Sequence, residues 1–177
     1  LYRLYNLFNN RGDAKSPFVL GATLKITKNF SLKEMTFSDT AIRRNIENEP
    51  GTLELINLTN LCCHILQPVR DHFEKSVRIN SGYRCVKLCE AVGSSGKSQH
   101  AKGQAADFEI NGLSNKELAT WCYKNLDFDQ IILEFHDPEG DPNSGWVHCS
   151  YRNDGTNRHT GLIINKKTKG KYLPWKP

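Results

Sequence analysis

The sequence contains no apolar run long enough to cross a membrane. A membrane-spanning helix needs roughly 18 consecutive apolar residues, and the most apolar segments here are interrupted by Gln67, Pro68 and Arg70 or by Glu134. The first residues, LYRLYNLF, are too polar for the core of a signal peptide, and no small-residue cleavage site follows them. We therefore expect no membrane span and no secretion signal in this sequence.

The cysteines include no Cys-x-x-Cys pair, which is the signature of a structural thiolate zinc site. Cys62 and Cys63 are adjacent, and Cys85 and Cys89 are four positions apart. These spacings suit packing in a reducing compartment better than a disulfide framework. A chain of 177 residues, 38% of them hydrophobic, can also bury a core without crosslinks. We expect free, mostly buried thiols in a protein made in a reducing compartment.

Basic residues exceed acidic ones, and the excess lies at one end of the chain. The formal net charge is +5, and residues 152–177 hold seven Lys or Arg side chains against one Asp. A nucleic-acid surface presents basic and aromatic side chains together on a folded face, and only the last part of this tail comes near that pattern. We expect a solvated or anion-touching tail and no nucleic-acid partner, with DNA binding through the tail as a minor alternative.

Hydrophobic periodicity predicts an α+β domain over residues 29–151, in which a small antiparallel sheet packs against helices from the N-terminal half. Residues 1–28 form a predicted N-terminal extension, and the basic tail over 152–177 includes a weak extra strand at 162–164. The predicted helices are one that begins with a capping box at Ser31 and Glu34, a core helix over 55–73 kinked at Pro68, one at 85–92, and one over 115–125 with a capping box at Ser114 and Glu117. The predicted strands lie at 77–79, 104–110, 128–135 and 145–151.

Metal-ligating residue types are concentrated in two short segments, SQHAKGQAAD and GWVH. His100, Asp107 and His148 offer imidazole nitrogen and carboxylate oxygen, which a borderline cation such as Zn²⁺ accepts. Three protein ligands leave the fourth tetrahedral position to water, which is typical of catalytic rather than structural zinc. The alternatives without a metal are that Asp107 forms a turn and that Ser98 only caps a loop.

Alternation along the predicted strands places a further carboxylate on the side of the sheet that carries this site. Asp107 and His148 point to one face of the sheet, and the apolar residues of their own strands point to the other face. Glu134 lies on the corresponding face of its own strand, whereas Phe135 is expected on the core face. If the two strands around the polar loop form a hairpin in an even register, Glu134 lies opposite Trp146 and diagonal to His148, about 7–8 Å away. An odd register would turn Glu134 away.

The remaining histidines carry no pattern of this kind. A single histidine without ligand spacing around it is usually a surface residue or a hydrogen-bonded core residue. We predict one of these two roles for each of them: His64, His72, His136 and His159.

The two segments resemble the zinc D-alanyl-D-alanine carboxypeptidase family, which includes phage cell-wall peptidases. The family pattern is Ser-x-His, then Gly-x-Ala-x-Asp and later Trp-x-His, and this chain has SQH at 98–100, GQAAD at 103–107 and WVH at 146–148. The upstream SGYR at 81–84 is similar to a further family turn. The resemblance covers residues 29–151 and is closest to the phage-associated branch. The Hedgehog signalling domain has a similar fold and metal site.

The resemblance implies roles for five residues. One Zn²⁺ ion would be bound by His100, Asp107 and His148. Arg84 would act in catalysis and would bind a carboxylate or carbonyl oxygen of the substrate. Ser98 would orient the metal loop or the substrate.

The chain departs from the family pattern at the catalytic base. Many relatives carry an acidic residue three positions before the last histidine, where this chain has Gly145. Glu134 is the best replacement, because strand pairing in the even register brings it beside the site. Asp129 and Asp141 are weaker candidates. The resemblance therefore supports the metal more firmly than the catalysis.

The function that the resemblance implies is that of a zinc-dependent peptidase acting on the peptidoglycan stem peptide, either as a D-Ala-D-Ala carboxypeptidase or as an endolysin-type endopeptidase. The alternative is a non-catalytic, zinc-stabilised module, such as a virion or cell-surface component. Other virion or wall components that bind the termini would be further partners. The sequence assigns no cellular location, and the resemblance implies a virion-associated protein or one released to the cell wall.

Overall fold

The computed structural model describes residues 24–137, 139–141 and 143–177. Most of the predicted N-terminal extension, residues 1–23, lies outside the described residues. The described chain has the predicted α+β class: short helices pack against a six-stranded, mostly antiparallel sheet.

The first helices begin where the sequence offers a cap. The Ser31 hydroxyl accepts the Glu34 amide hydrogen, and the Glu34 carboxylate accepts the Ser31 amide hydrogen at 2.9 Å. This pair confirms the predicted capping box. Ser38 caps the next helix through the amide of Ala41. The N-terminal helices are α1 (Leu32–Thr36), α2 (Asp39–Arg43), α3 (Thr52–Leu61) and α4 (Gln67–Phe73).

The core helix predicted over 55–73 is continuous, but its winding changes in the middle. A π-helical turn, Cys62–Leu66, joins α3 to α4, and the Gln67 amide donates to the Cys62 carbonyl. Pro68 then occupies the first turn of α4. Proline lacks an amide hydrogen, and its ring crowds the carbonyl four residues earlier. The structure accommodates Pro68 with a wider turn directly before it.

The sheet consists of β1 (Val77–Ser81), β2 (Ala105–Ile110), β3 (Gln130–Glu134), β4 (Trp146–Ser150), β5 (Thr160–Ile164) and β6 (Leu173–Pro174). Its strand order is β1-β2-β4-β3-β5-β6. Neighbouring strands are antiparallel except for β3 and β5. The central strands β2, β4 and β3 are those that the sequence predicts to carry the site.

The strand predicted at 162–164 is present as β5. It runs parallel to β3, whereas the prediction was an antiparallel sheet. Gln130, at the start of β3, lies opposite both Ser150 at the end of β4 and Thr160 at the start of β5. Because β2 and β3 already flank β4, the nearest open edge for the returning chain is that of β3. The connection over 151–159 delivers the chain to the near end of that edge, so β5 takes the direction of β3.

Three more helical segments are α5 (Val86–Ala91), a 3-10 helix (Gln99–Lys102) and α6 (Asn115–Asn125). The capping box predicted before α6 does not form, since the Ser114 side chain makes no capping hydrogen bond. Burial of Leu118 and Cys122 fixes α6 against the core instead.

The expectation that Phe135 faces the core is wrong. Strand β3 ends at Glu134, and Phe135 has a positive φ of 55°. This left-handed conformation breaks the alternation on which the expectation was based. The Phe135 ring is half exposed and lies 5.2 Å from the ring of Trp146, which is on the site face.

The core lies between the helices and one face of the sheet. Alternate strand residues such as Phe108, Leu133 and Val147 are almost fully buried and share one cluster with Leu61 and Ile65 of the core helix. All six cysteines are free and four are buried, as predicted. Within the described ranges, no helix has the length and apolar character needed to cross a membrane.

Candidate metal centre

Two of the predicted ligands lie on adjacent central strands. Asp107 of β2 is directly opposite His148 of β4 in the antiparallel register. Their chain neighbours Phe108 and Val147 point into the core, so alternation turns Asp107 and His148 to the other face of the sheet. Both residues are nevertheless buried.

The third predicted ligand, His100, lies on the 3-10 helix rather than on a strand. The Ser98 hydroxyl caps this helix by accepting the His100 amide hydrogen. Gly103 ends it with φ +68°, and a Cβ there would lie 2.4 Å from the Glu54 carbonyl oxygen. The helix can therefore pack this closely only with glycine at its end. The loop-capping role of Ser98 is thus visible in the structure.

The ligand atoms of the three residues converge. His148 Nδ1 lies 2.9 Å from Asp107 Oδ1, and His100 Nε2 lies 3.2 Å from His148 Nδ1 and 3.3 Å from Asp107 Oδ1. Donor atoms bound to one tetrahedral Zn²⁺ at about 2.0–2.1 Å would be about 3.4 Å apart. The donor set and its spacing therefore fit a single divalent ion.

A second contact fixes the orientation of His100. Its Nδ1 lies 2.7 Å from the Gly82 carbonyl oxygen, to which it can only donate. Nε2 is then the nitrogen with a free lone pair, and it faces Asp107 and His148. A backbone carbonyl behind a ligating histidine is the usual arrangement in metal sites.

Electrostatics keep the ligands in the protonation states that metal binding needs. Burial lowers the pKa of His100, so its imidazole is neutral. Burial alone would raise the pKa of Asp107, but His100 and His148 outweigh it and hold that pKa well below its usual range. A carboxylate and a neutral imidazole are the metal-binding forms.

Arg84 places a positive charge beside the three ligands. Its Nη2 lies 3.4 Å from Asp107 Oδ2, and its side chain is mostly buried. The Arg84 Nε is buried and has no hydrogen-bond partner among the described residues. A guanidinium group held in place beside the ligands, with part of its side chain still exposed, is suited to binding an anionic or carbonyl oxygen.

The predicted register of the hairpin is confirmed. Glu134 of β3 lies opposite Trp146 of β4, and Ile132 lies opposite His148. Glu134 therefore shares the site face with His148. Burial raises the pKa of the Glu134 carboxyl, the Asp107 carboxylate raises it further, and His148 lowers it. Strand pairing thus puts Glu134 one residue pair away from His148 on the same face of the sheet.

The backbone explains the glycine at the position where relatives carry an acid. Gly145 has φ +71°, and a Cβ at this position would lie 1.8 Å from the Glu134 carbonyl oxygen. Any side chain here would displace the end of β3. An acidic residue at 145 is incompatible with Glu134 in its present place.

The weaker candidate bases lie in other surroundings. Asp129 is fully buried and bound by two guanidinium groups, with Arg158 Nη2 at 2.6 Å and Arg152 Nε at 3.2 Å. Gln99 also donates to it at 2.8 Å. Asp141 is exposed in the polar loop, where it accepts from the backbone. The Asp129 cluster links the C-terminal tail to the loop that carries His100.

We expect Asp129→Asn to destabilise the fold by about 3 kcal/mol at neutral pH, because it removes the buried partner of two arginines. Burial alone would raise the pKa of Asp129, but Arg158 and Gln99 outweigh it and depress that pKa. The stabilisation is therefore present above the unfolded pKa of about 3.9 and is lost as pH falls through the folded value. Urea unfolding of metal-free protein at several pH values measures this.

The matched control is Asp127→Asn, which removes an exposed carboxylate paired with His159 and should cost less than about 1 kcal/mol. The cost of Asp129→Asn should shrink on acidification. A cost that stays constant down to pH 3 would show that the charge of Asp129 is not what stabilises the cluster.

The other histidines are distributed over the rest of the fold. His64 stacks on Tyr151 and His72 on Trp121, while His159 pairs with Asp127 at the surface. These three fit their predicted roles. His136 does not, because it is buried while its Nδ1 has no hydrogen-bond partner among the described residues.

Sequence reasoning gave Tyr172, an exposed residue of the basic tail, no role at the site. The residue precedes β6, a strand of two residues, and so short a strand leaves no readable alternation. Burial raises the pKa of its phenol, and the carboxylates of Glu134 and Asp107 raise it further, as expected if the C-terminal tail extends toward the site.

A family model described as Peptidase M15 matches residues 28–150, well over half of the chain. The matched segment includes the three candidate ligands, Arg84 and Glu134, and it ends with β4, before β5 and β6. No curated protein gives a significant match to the chain.

Proposed function

The chain belongs to the peptidase M15 family, and from that premise we propose that it is a zinc-dependent peptidase that hydrolyses peptide bonds in the peptidoglycan stem peptide. The observation that carries the proposal is the convergence of His100, Asp107 and His148 on one point beside Glu134 and Arg84. Family membership makes the chain a metallopeptidase. We further propose that the metal is zinc and that the substrate is the stem peptide.

We assign the metal to His100, Asp107 and His148, whose donor atoms and spacing suit zinc. When bound, zinc would supply Lewis-acid polarisation of the scissile carbonyl. Glu134 would take a proton from the attacking water and return it to the leaving amine. Its raised pKa supports this role, because a carboxyl in partly buried surroundings can hold that proton between the two steps.

Arg84 is proposed to bind the substrate oxygen that becomes most negative, or a terminal carboxylate. The Asp107 carboxylate holds one edge of the guanidinium, and the Arg84 side chain remains partly exposed for a further contact. Charge-assisted hydrogen bonds of this type are the stronger kind. Ser98 is proposed to act on the substrate only indirectly, through the loop that it caps.

The two peptidase variants differ in what they would release. A D-Ala-D-Ala carboxypeptidase releases free D-alanine and needs the terminal carboxylate of its substrate, which Arg84 would bind. An endolysin-type endopeptidase opens an internal bond and tolerates an amidated terminus. We further propose, from the resemblance, that the chain belongs to the phage-associated branch and acts at a virion or in the cell wall.

Digestion of purified peptidoglycan tests the proposal. With zinc-loaded protein we expect new free amino groups to appear, a chelator to stop their release, and added zinc to restore it. Parallel assays on a stem peptide with a free or an amidated C-terminus separate the two variants. If the folded, zinc-loaded protein releases no amino groups from any of these substrates, a non-catalytic zinc-stabilised module is the better description.

A further inference from the structure

A row of side chains crosses the sheet from the candidate centre to the C-terminal tail. Glu134 of β3 is opposite Trp146 on one side and Ile164 of β5 on the other. In the pairing of β5 with β6, Ile163 is opposite Leu173. Tyr172 directly precedes Leu173 in the chain, so it comes next to the level of Ile164.

The row lies on the site face. Residues opposite one another in a sheet point to the same face, and Leu133, Val147 and Ile163 of the preceding row pack into the core. Continuing this alternation by one position before Leu173 puts Tyr172 on the side that carries Glu134, and the influence of the Glu134 and Asp107 carboxylates on the pKa of its phenol agrees with that placement. Its side chain is about half exposed, so its ring lines an open surface rather than filling the core.

Arg84 and Tyr172 lie on opposite sides of the ligands. Arg84 contacts Asp107 on β2, whereas Tyr172 is at the edge of the sheet formed by β5 and β6. Between them lie β4 with His148 and β3 with Glu134. A substrate peptide that runs across the strands, with its scissile bond beside the three candidate ligands, would have Arg84 at one end and Tyr172 at the other.

We propose that Tyr172 binds the acyl side of the substrate, the part of the peptide that precedes the scissile bond, and donates its hydroxyl to a backbone carbonyl there. This inference rests on the proposed function, in which Arg84 holds the part that follows the bond. The tail beyond the M15 match would then supply one wall of the cleft.

The chemistry of the side chain suits this contact. Burial raises the pKa of the Tyr172 phenol, and the carboxylates of Glu134 and Asp107 raise it further. The hydroxyl is therefore neutral and a hydrogen-bond donor at the pH of any ordinary assay. The half-exposed Phe135 and its neighbour Trp146 add an apolar surface on the other flank of Glu134.

Substrates of different length test the assignment. Tyr172→Phe removes only the hydroxyl, and we expect it to raise KM by about 3- to 10-fold for a peptide with several residues before the scissile bond, as for one lost hydrogen bond. For a dipeptide, which has a single residue there, KM should stay within 2-fold, and kcat should change little for both. Tyr172→Ala should show the same length dependence with a larger rise in KM.

Binding of the acyl-side product peptide, measured by calorimetry, gives a readout without turnover. Its Kd should rise in Tyr172→Phe by the same factor as KM. The matched control is Tyr151→Phe, which removes a hydroxyl from a tyrosine stacked on His64 and should alter neither KM nor Kd. Zinc content and melting temperature report whether each variant keeps its fold.

The possible failures are distinguishable. If the wild-type protein neither cleaves nor binds these peptides, the proposed function is wrong. If the wild-type protein is active and Tyr172→Phe changes neither KM nor Kd, or changes them equally for long and short peptides, the role of Tyr172 is overturned.

Discussion

Replacing His148 with alanine is expected to abolish stoichiometric zinc binding and, with it, peptide hydrolysis. The three candidate ligand atoms are within 3.3 Å of one another, and removal of one leaves only two donors. Loss of a group that merely supports a ligand costs about 10- to 100-fold in metal affinity, so loss of the ligand itself should cost more. Elemental analysis after dialysis against a weak chelator measures the bound metal.

His64→Ala is the matched control for this substitution. His64 is exposed, stacks on Tyr151 and is not among the grouped ligand residues, so this variant should keep one zinc ion per chain. Full zinc content in His148→Ala would reject His148 as a ligand and would require a different centre.

Glu134→Gln is expected to keep zinc while losing most turnover. The amide has nearly the same shape as the carboxyl but cannot take up a proton, and general acid–base catalysis typically contributes about 10²- to 10⁴-fold. The fall should therefore appear in kcat, with zinc content and unfolding midpoint close to those of the wild-type protein. Steady-state kinetics on a stem peptide, combined with metal analysis, measures both effects.

Glu109→Gln provides the same chemical change in an ion pair whose arginine is exposed. Glu109 lies on β2 and pairs with Arg78 at 3.2 Å, and its substitution should leave kcat within about 2-fold because surface ion pairs contribute little. An unchanged kcat in Glu134→Gln would assign the proton transfer to another group.

The strands and the site face were readable from the sequence because they depend on local pattern. The strict alternation around Asp107 and His148 separates core residues from site residues within a few positions. The even register of Glu134 with Trp146 was one of two possibilities, and the structure selects it. The three candidate metal ligands were predicted from the ligand motif and its spacing.

Other features depend on contacts between distant parts of the chain, which local pattern does not encode. Asp129 is bound by Arg152 and Arg158 from the tail, and nothing in the tail's composition specifies that partner. Phe135 was misplaced because the strand ends one residue earlier, at a left-handed turn packed against Gly145. Tyr172 was missed because a two-residue strand has no period.

The parallel pairing of β5 with β3 bears on how the molecule can be shortened for laboratory work. A version trimmed to the family-matched segment would leave the backbone N–H and C=O groups along one edge of β3 unpaired. Unpaired strand edges promote association between chains. It would also strip Asp129 of both guanidinium partners. To separate the electrostatic contribution of the tail from its architectural one, lysines such as Lys169 and Lys171 are better exchanged for neutral residues than removed with the strand.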